Sequence, residues 1–258
     1  MARIRADQLT VEQGLCESRS QAQRLIMAGK LRLGNDQIVQ KPGQLLPEDS
    51  ELSLDEGRRY VSRAAFKLLA ALDKIQPDLQ GLCALDLGAS TGGFSEVLLE
   101  QGVRRVYAVD VGYGQLHDKL RRDPRVRVME RINARDLNAE LIPEPIGVLT
   151  ADVSFISLTK VLPPCKNLLT AAAWVFVLVK PQFEAGRHQV GTGGVVRDPV
   201  VQQECVDKIM RFAEQELGWR SLDVTPSPIK GPKGNQEYIV AFRTAHNEGT
   251  AGDSEDCR

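Results

Sequence analysis

Four charged residues lie in segments whose apolar pattern does not explain a charge. Asp152, Lys180 and Glu237 lie at the ends of the apolar segments GVLTADVSF, WVFVLVK and EYIVAFR, and Lys67 lies in the helical segment SRAAFKLLAALDKI. Two lysines and two carboxylates that meet in one cleft can hold a hydroxyl and keep one lysine neutral, as a general base requires. These residue types therefore indicate proton abstraction from a hydroxyl during a group transfer.

Each of these residues also has a purely structural explanation. Lys67 fits a solvated position on an amphipathic helix, and Asp152 fits the cap of the next helix. Lys180 precedes a proline and could simply end a buried strand, and Glu237 could be an edge-strand charge. Taken alone, the four residues leave both explanations open.

A glycine-rich stretch, ALDLGASTGGFSEVLLEQG at residues 84–102, predicts a strand, a tight ligand-binding turn and a helix. It lacks the lysine of a P-loop and the spacing of the dinucleotide fingerprint GxGxxG. Asp86 precedes the turn, and Asp110 follows 24 residues later, which suits a carboxylate that binds ribose hydroxyls. An acid beside the first glycine disfavours a pyrophosphate but suits an amino group and a sulfonium, a combination that fits S-adenosylmethionine. A turn with only a structural role is the alternative.

Apolar β-rich segments alternate with helical segments over residues 64–243, which predicts a doubly wound, Rossmann-like α/β sheet. We expect strands at CALDLG, VRRVYAVD, GVLTADVSF, WVFVLVK, WRSLDVTP and EYIVAFR. We expect helices at SRAAFKLLAALDKI, FSEVLLEQG, QLHDKLRRD, LTKVLPPCKNLLTAA and DPVVQQECVDKIMRFAEQELG. Ligands of such sheets bind beyond the carboxyl ends of the strands, where the glycine loop and the charged residues should converge.

A smaller α+β domain is expected at residues 1–57, with helices at ADQLTVEQGL and SRSQAQRLIMAG, a hairpin formed by LRLG and QIV, and a strand at ELSL. Residues 58–63 are expected to link it to the larger domain, residues 64–243. The segment 244–258 is polar and rich in small residues, which predicts a disordered tail.

Positive charge is concentrated near the N-terminus, where residues 1–41 hold seven basic and four acidic residues, although the whole chain has a net charge of −1. Basic side chains on one face can bind RNA phosphates, and residues 1–59 contain no aromatic residue for base stacking. We therefore expect recognition of RNA shape and backbone, with an ordinary charged surface as the alternative. The candidate RNA-binding residues are Arg3, Arg5, Arg19, Arg24, Lys30, Arg32, Lys41 and Arg63. Lys230 and Lys233, just before Glu237, could guide the substrate into the cleft.

The composition, 42% hydrophobic and 26% charged, is typical of a soluble globular protein. No apolar run approaches the roughly 18 residues of a membrane helix, and the N-terminus lacks the apolar core of a signal peptide. We therefore expect a cytoplasmic protein without a membrane partner. The five cysteines and three histidines show no metal-ligand spacing, so we expect neither disulfides nor a metal site.

Several motifs together resemble one known family. The segment SRSQAQRLIMAG, followed by a hairpin and KPG, resembles the S4-like RNA-binding domain. The blocks YVSRAAFKL, ALDLGASTGGFSEVLL, VYAVDVGYGQL, RINARDL, LTADVSFISL, VLVKPQFE, VGTGGVVRD and GNQEYIVAF resemble the TlyA (hemolysin A) family. The resemblance spans residues 1 to about 243. It implies an FtsJ-like domain that uses S-adenosylmethionine to methylate a ribose 2′-hydroxyl of ribosomal RNA, with cytidine as the nucleotide.

The resemblance also implies roles for individual residues. Lys67, Asp152, Lys180 and Glu237 match the family's catalytic tetrad, with Lys180 as the base that acts on the 2′-hydroxyl. The cofactor is expected to contact Asp86, Gly88, Ala89, Ser90, Thr91, Gly92, Gly93 and Phe94. Its ribose is expected at Asp110, and its adenine near Asn133 and Asp136. The expected partner is ribosomal RNA or a ribosomal subunit.

One position departs from the family pattern. Thr192 occupies a place in VGTGGVVRD where relatives often carry lysine, which would remove one contact if this loop touches RNA phosphate.

Three alternative functions stay open. A methyltransferase acting on an amino group would need (N/D)PP(Y/F) where this chain has ADVSF, and one acting on a pyrimidine carbon would need a cysteine nucleophile. Cys165 is the candidate for that nucleophile, although it lies inside a predicted helix. A membrane-active hemolysin would need a spanning segment or a long basic amphipathic helix, and the sequence shows neither. A non-catalytic ribosome-binding protein would have no need of the tetrad.

Overall fold

The computed structural model of this protein describes residues 3–34, 37–54 and 60–244. The chain divides into two compact units, Met1–Arg59 and Tyr60–Arg258. Residues 60–63, expected in a linker, belong to the second unit, where the buried Tyr60 donates a hydrogen bond to Glu100 (2.7 Å). Thr244 ends the last strand instead of beginning a tail. The rest of the predicted tail, 245–258, and linker residues 58 and 59 lie outside the described residues.

The first unit contains the two predicted short helices and the predicted hairpin. The Ser18 side chain accepts a hydrogen bond from Gln21 N and caps the second helix. Buried aliphatic side chains such as Ile26, Leu31 and Leu46 form its core. Its elements are β1 (Arg3–Arg5), α1 (Ala6–Glu12), α2 (Arg19–Met27), β2 (Leu31–Leu33), β3 (Gln37–Ile38), β4 (Leu45–Pro47) and β5 (Leu52–Leu54).

The strands of this unit pair in two antiparallel groups. β2 pairs with both β3 and β5, which the hairpin prediction anticipated in part. β1 pairs with β4, a contact that the sequence did not indicate because each strand is only three residues long.

The second unit is the predicted doubly wound α/β fold. Among the residues described, the strand order is β11-β12-β10-β9-β6-β7-β8; β10, β9, β6, β7 and β8 run parallel, and β12 and β11 are antiparallel additions. The elements are α3 (Ala65–Ile75), β6 (Cys83–Leu87), α4 (Gly93–Glu100), β7 (Arg105–Asp110), α5 (Asp118–Arg121), β8 (Val126–Glu130), β9 (Ile146–Ala151), α6 (Leu158–Val161), β10 (Leu169–Val179), α7 (Pro181–Glu184), α8 (Pro199–Phe212), β11 (Trp219–Pro226) and β12 (Tyr238–Thr244).

Two buried clusters of side chains cover the sheet. One contains Leu68 of α3 and Val97 of α4, and the other contains Val161 of α6 and Val206 of α8. The two clusters take alternate residues of the central strands, as a sheet buried on both sides requires.

Two predicted elements in this unit were wrong. LTKVLPPCKNLLTAA is not one helix: α6 ends at Val161, a 3₁₀ helix follows at Pro163–Leu168, and β10 begins at Leu169. Adjacent prolines stop the α-helix because they lack the N–H that it needs. The remainder begins β10, whose Leu169 pairs with Ile146 of β9 and whose residues from Trp174 onward pair with both β9 and β12. QLHDKLRRD contains only the four-residue α5, and β8, which pairs with β7 at the sheet edge, was missed.

The topology gathers several chain segments at one edge of the sheet. Gly88 follows β6, Asp152 follows β9 and Lys180 follows β10, so all three lie at carboxyl ends of parallel strands. Because β12 runs antiparallel to β10, Glu237 at its start reaches the same edge; Tyr238 pairs with Val179.

Candidate active site

The glycine loop after β6 is tightly packed against the neighbouring strand end. Gly88 has a φ of +77°, and a Cβ at this position would lie 2.5 Å from the carbonyl oxygen of Asp152. The amides of Gly88 and Ala89 both donate to Val109 O. Only glycine fits at residue 88, so the backbones of two strand ends meet at the floor of the site.

Asp86 lies behind this loop rather than in it. Its side chain is fully buried and accepts hydrogen bonds from Ser95 Oγ (2.6 Å) and Thr150 Oγ1 (2.8 Å). Burial raises the pKa of this carboxyl to about 6. Asp86 lines neither cavity described below, although a direct contact between this carboxylate and a cofactor was expected. From this position, Asp86 joins the strand before the loop to Ser95 in α4 and to Thr150 in β9.

Asp110, at the end of β7, faces the loop. Its Oδ2 accepts from the Ser90 amide (2.8 Å), and its Oδ1 accepts from the Gly112 amide (2.7 Å). Asn133 lines the same cavity as Asp110, whereas Asp136 is exposed and lines neither cavity. The structure therefore does not bring Asp136 to the expected adenine site.

The four charged residues from three strand ends and α3 form one connected cluster. Lys180 Nζ lies 2.6 Å from Asp152 Oδ1, and Lys67 Nζ lies 2.7 Å from Glu237 Oε2. Lys67 Nζ is also 3.8 Å from Asp152 Oδ2, so this carboxylate joins the two pairs. Both lysines and Glu237 are buried. Solvated helix positions or edge charges would not converge in this way.

Two adjoining cavities open at this edge of the sheet. The first has a volume of about 560 Å³ and contains all four residues of the cluster together with Gly88, Ala89, Ser90, Thr91, Gly93 and Phe94. The second, about 430 Å³, is lined by Asp110 and Asn133 and shares Gly88, Ser90 and Asp152 with the first. Gly92 lines neither, because it caps α4 with a φ of +99° and packs toward Leu120.

Several residues of the site were missed in the sequence. Ser154 Oγ accepts a hydrogen bond from Lys180 Nζ (2.9 Å). Lys180 Nζ therefore has two acceptors, Asp152 Oδ1 and Ser154 Oγ. Phe155, 91% exposed with a φ of +64°, contacts the Phe183 ring at a centroid distance of 5.1 Å. Ser154 and Phe155 lie two and three residues after Asp152 in the motif ADVSF. Their closeness to an acid at a strand end was the signal that the sequence offered.

A buried carboxylate ties the two segments that carry Asp152 and Lys180. Glu184, at the end of α7, accepts from Ser157 Oγ (2.6 Å) and from the Leu158 amide (2.8 Å) at the start of α6. Lys208 Nζ donates to the same carboxylate (3.1 Å). Segments 154–158 and 180–184 are thus joined at both ends, which fixes Ser154 relative to Lys180.

In the first unit, two of the predicted RNA-binding arginines share a buried carboxylate. Arg5 Nε and Arg19 Nη2 each lie 3.0 Å from an oxygen of Asp7, and Gln23 donates to it as well (2.9 Å). These bonds hold the pKa of Asp7 well below its usual range. The side chains of Arg3, Arg5, Arg19, Arg24, Lys30 and Lys41 are exposed, and that of Arg32 is half-buried.

The remaining predicted residues lie elsewhere. Arg63 is exposed in the second unit, and Thr192 is exposed and lines neither cavity. Cys165 is fully buried in the 3₁₀ helix, where burial raises the pKa of its thiol to about 12, and it lines neither cavity. A thiol in this environment is a poor nucleophile. Across the described ranges there is no group of three or more potential metal ligands, and none of their helices is long and apolar enough to cross a bilayer.

Comparison with known proteins assigns both units. The profile of FtsJ-like methyltransferases matches residues 60–244, and that of the S4 domain matches residues 4–52. A Mycobacterium tuberculosis protein named 16S/23S rRNA (cytidine-2′-O)-methyltransferase TlyA is 48% identical over 244 residues, covering 94% of this chain and 90% of the relative. Hemolysin A of Brachyspira hyodysenteriae is 40% identical, covering 93% and 99%. A solved Streptococcus thermophilus structure with a provisional hemolysin name has a TM-score of 0.73 at 40% identity, covering 95% and 90%.

Proposed function

The chain belongs to the TlyA family, and on that premise we propose that it transfers a methyl group from S-adenosylmethionine to the 2′-hydroxyl of a cytidine in ribosomal RNA. The observation that carries this proposal is the cluster of Lys67, Asp152, Lys180 and Glu237 in one cavity with the glycine loop. Ribosomal RNA and cytidine follow from the name of the M. tuberculosis relative. Such a substrate implies that the enzyme acts in the cytoplasm.

The two adjoining cavities fit S-adenosylmethionine. Their volumes, about 560 and 430 Å³, fall within the range of roughly 300–1,000 Å³ of small-molecule sites. The loop 88–94 would hold the methionine part, and Asn133 would flank the adenine. Asp110 is fixed by two backbone amides and keeps free lone pairs for the ribose hydroxyls. When bound, the cofactor supplies a methyl carbon on a positively charged sulfur, open to attack by an oxygen nucleophile.

Lys180 is the proposed general base. A neutral amine at this position donates its two N–H bonds to Asp152 Oδ1 and Ser154 Oγ, and its lone pair is left for the 2′-hydroxyl proton. Lys67 and Glu237 form their own ion pair and would orient the ribose. Lys180 Nζ would accept the proton of the 2′-hydroxyl, and the cofactor held by the glycine loop would supply the methyl group for that oxygen.

The first unit is proposed to bind the RNA. Its exposed arginines and lysines can contact phosphates, and Asp7 fixes two of these arginines in one orientation. The S4 profile supports this assignment. A pyrimidine-carbon methyltransferase is disfavoured because Cys165 is buried away from both cavities.

A Lys180→Met variant tests the proposal. Methionine keeps the length of the side chain but has no proton acceptor, so methyl transfer to ribosomal subunits should fall by about 10²-fold or more. Cofactor affinity, measured by calorimetry, should stay within roughly twofold. Lys160→Met, at an exposed lysine outside both cavities, is the matched control and should be fully active. Wild-type activity in Lys180→Met, or a product methylated on a base and not resistant to alkali, would refute the proposal.

A further inference from the structure

One of the lysines that line the larger cavity has no carboxylate partner among the described residues. Three lysines and two carboxylates line this cavity. Lys67 pairs with Glu237 at 2.7 Å, and Lys180 pairs with Asp152 at 2.6 Å. The third lysine, Lys233, forms no ion pair or side-chain hydrogen bond with any residue in the described part of the chain. The ammonium group of Lys233 is therefore available to a ligand.

Lys233 is held in place by an unusual backbone conformation. Its φ of +62° is in the left-handed region, which a lysine rarely adopts. The turn is closed by two backbone bonds, from the Gly231 amide to Asn235 O (2.9 Å) and from the Gly234 amide to Gly231 O (3.1 Å). Backbone strain of this kind is concentrated at functional sites, and here it directs a cation into the cavity.

A second loop forms the surface that the ammonium group reaches. Lys233 Nζ lies 3.8 Å from the point where a Cβ on Gly194 would be. The buried Asn235 connects the two loops, because its Oδ1 accepts from the Val196 amide and its Nδ2 donates to Gly194 O, both at 3.0 Å. Gly194, with a φ of +78°, leaves the space beside the ammonium open. These bonds fix the loop that carries Lys233 relative to the loop that contains Gly194.

Resting on the proposed function, we propose that Lys233 Nζ binds the phosphodiester on the 3′ side of the methylated nucleotide. The ribose 2′-oxygen and 3′-oxygen are on adjacent carbons, so a 2′-hydroxyl at Lys180 brings the 3′-phosphate into the same cavity. A compact ammonium group on a flexible stem is well suited to a single phosphate charge. The other anion that could enter is the carboxylate of the methyl donor, for which the glycine loop 88–94 is already available.

The salt dependence of RNA binding by a Lys233→Gln variant tests this inference. Loss of one phosphate contact should lower the slope of log K against log salt by about 0.7–0.9, and reduce affinity roughly tenfold at 0.1 M salt. The KM for RNA should rise, while the calorimetric Kd of S-adenosylmethionine stays unchanged. Lys160→Gln, an exposed lysine outside the cavity, removes the same charge and should keep the wild-type slope.

A matched change in the RNA locates the phosphate. A methylphosphonate placed 3′ to the methylated nucleotide should weaken binding of the wild-type protein as much as Lys233→Gln does, and should not weaken the variant further. An unchanged salt slope in Lys233→Gln overturns the inference, as does a weaker cofactor Kd with normal RNA binding, which would assign the lysine to the donor carboxylate. If the wild-type protein transfers no methyl to ribose, the proposed function fails instead.

Discussion

Replacing Asp86 by asparagine should make the protein progressively more stable, relative to the wild type, as the pH rises from 4 to 7. Asp86 is fully buried beneath the glycine loop, and burial raises its pKa from 3.8 to about 6. A raised pKa means that the folded state binds the proton more tightly than the unfolded chain. The stability contributed by protonated Asp86 is therefore present below about pH 4 and is lost as the pH rises to about 6.

The size of the effect follows from the pKa of Asp86. The two values differ by about 2 pH units, and each unit corresponds to about 1.36 kcal/mol, so the loss is on the order of 3 kcal/mol. Asparagine stays neutral at every pH and avoids this loss. The free energy of unfolding of Asp86→Asn minus that of the wild type should thus rise by about 3 kcal/mol between pH 4 and 7 and stay constant above.

Urea unfolding monitored by tryptophan fluorescence measures this difference for the second unit, which contains Asp86. Both tryptophans, Trp174 and Trp219, lie in the second unit, as Asp86 does. Asp123→Asn is the matched control, because hydrogen bonds from Arg125 lower the pKa of Asp123. Its stabilising contribution is fully present above the unfolded pKa of 3.8 and is lost only below it, so the Asp123→Asn difference should stay nearly constant between pH 4 and 7. A pH-independent difference for Asp86→Asn would refute the reasoning.

Two further variants test residues that position other groups. Ser154→Ala should reduce kcat roughly tenfold with an unchanged Kd for S-adenosylmethionine, because Lys180 loses one of its two acceptors. Ser154→Thr, which keeps the hydroxyl, should restore activity. An altered cofactor Kd with a normal kcat would assign Ser154 to the cofactor instead. Asp7→Asn should weaken RNA binding several-fold in a filter-binding assay, because Arg5 and Arg19 lose their shared charged acceptor; equal affinity with a folded first unit would mean that their fixed orientation is incidental.

The sequence predicted which charged residues meet at one edge of the sheet because they follow a simple rule of position. In a parallel sheet, residues that directly follow the strands meet at one edge, and Gly88, Asp152 and Lys180 obey this rule. Glu237 reached the same edge through the antiparallel β12, which motif order implied but strand spacing alone did not. The doubly wound fold was predicted from the alternation of apolar β segments with helical segments along the chain.

What the sequence could not supply are contacts between distant segments. Asp86 was expected to face a ligand, but Thr150, 64 residues away on the neighbouring strand, binds its carboxylate in the interior. Glu184 and Asn235 hold loops together through bonds to backbone amides, and no local pattern marks such a role. The end of LTKVLPPCKNLLTAA was misassigned because it continues into β10, where the residues from Trp174 onward pair with two neighbouring strands, and that pairing lies beyond the segment itself.

In the proposed mechanism, the pairing of charges in the cavity sets the conditions under which Lys180 would serve as the base. With Lys180 neutral, Lys67 balances one of the carboxylates of Asp152 and Glu237, and the cluster has a net charge of −1. A negative cluster stabilises a nearby sulfonium before the reaction. Lys180 would gain the proton of the 2′-hydroxyl, and with it a positive charge, beside the carboxylate of Asp152. Because Asp152 Oδ1 lies 2.6 Å from Lys180 Nζ, the proton would arrive at a nitrogen that already has its carboxylate partner, and no ion pair would have to break.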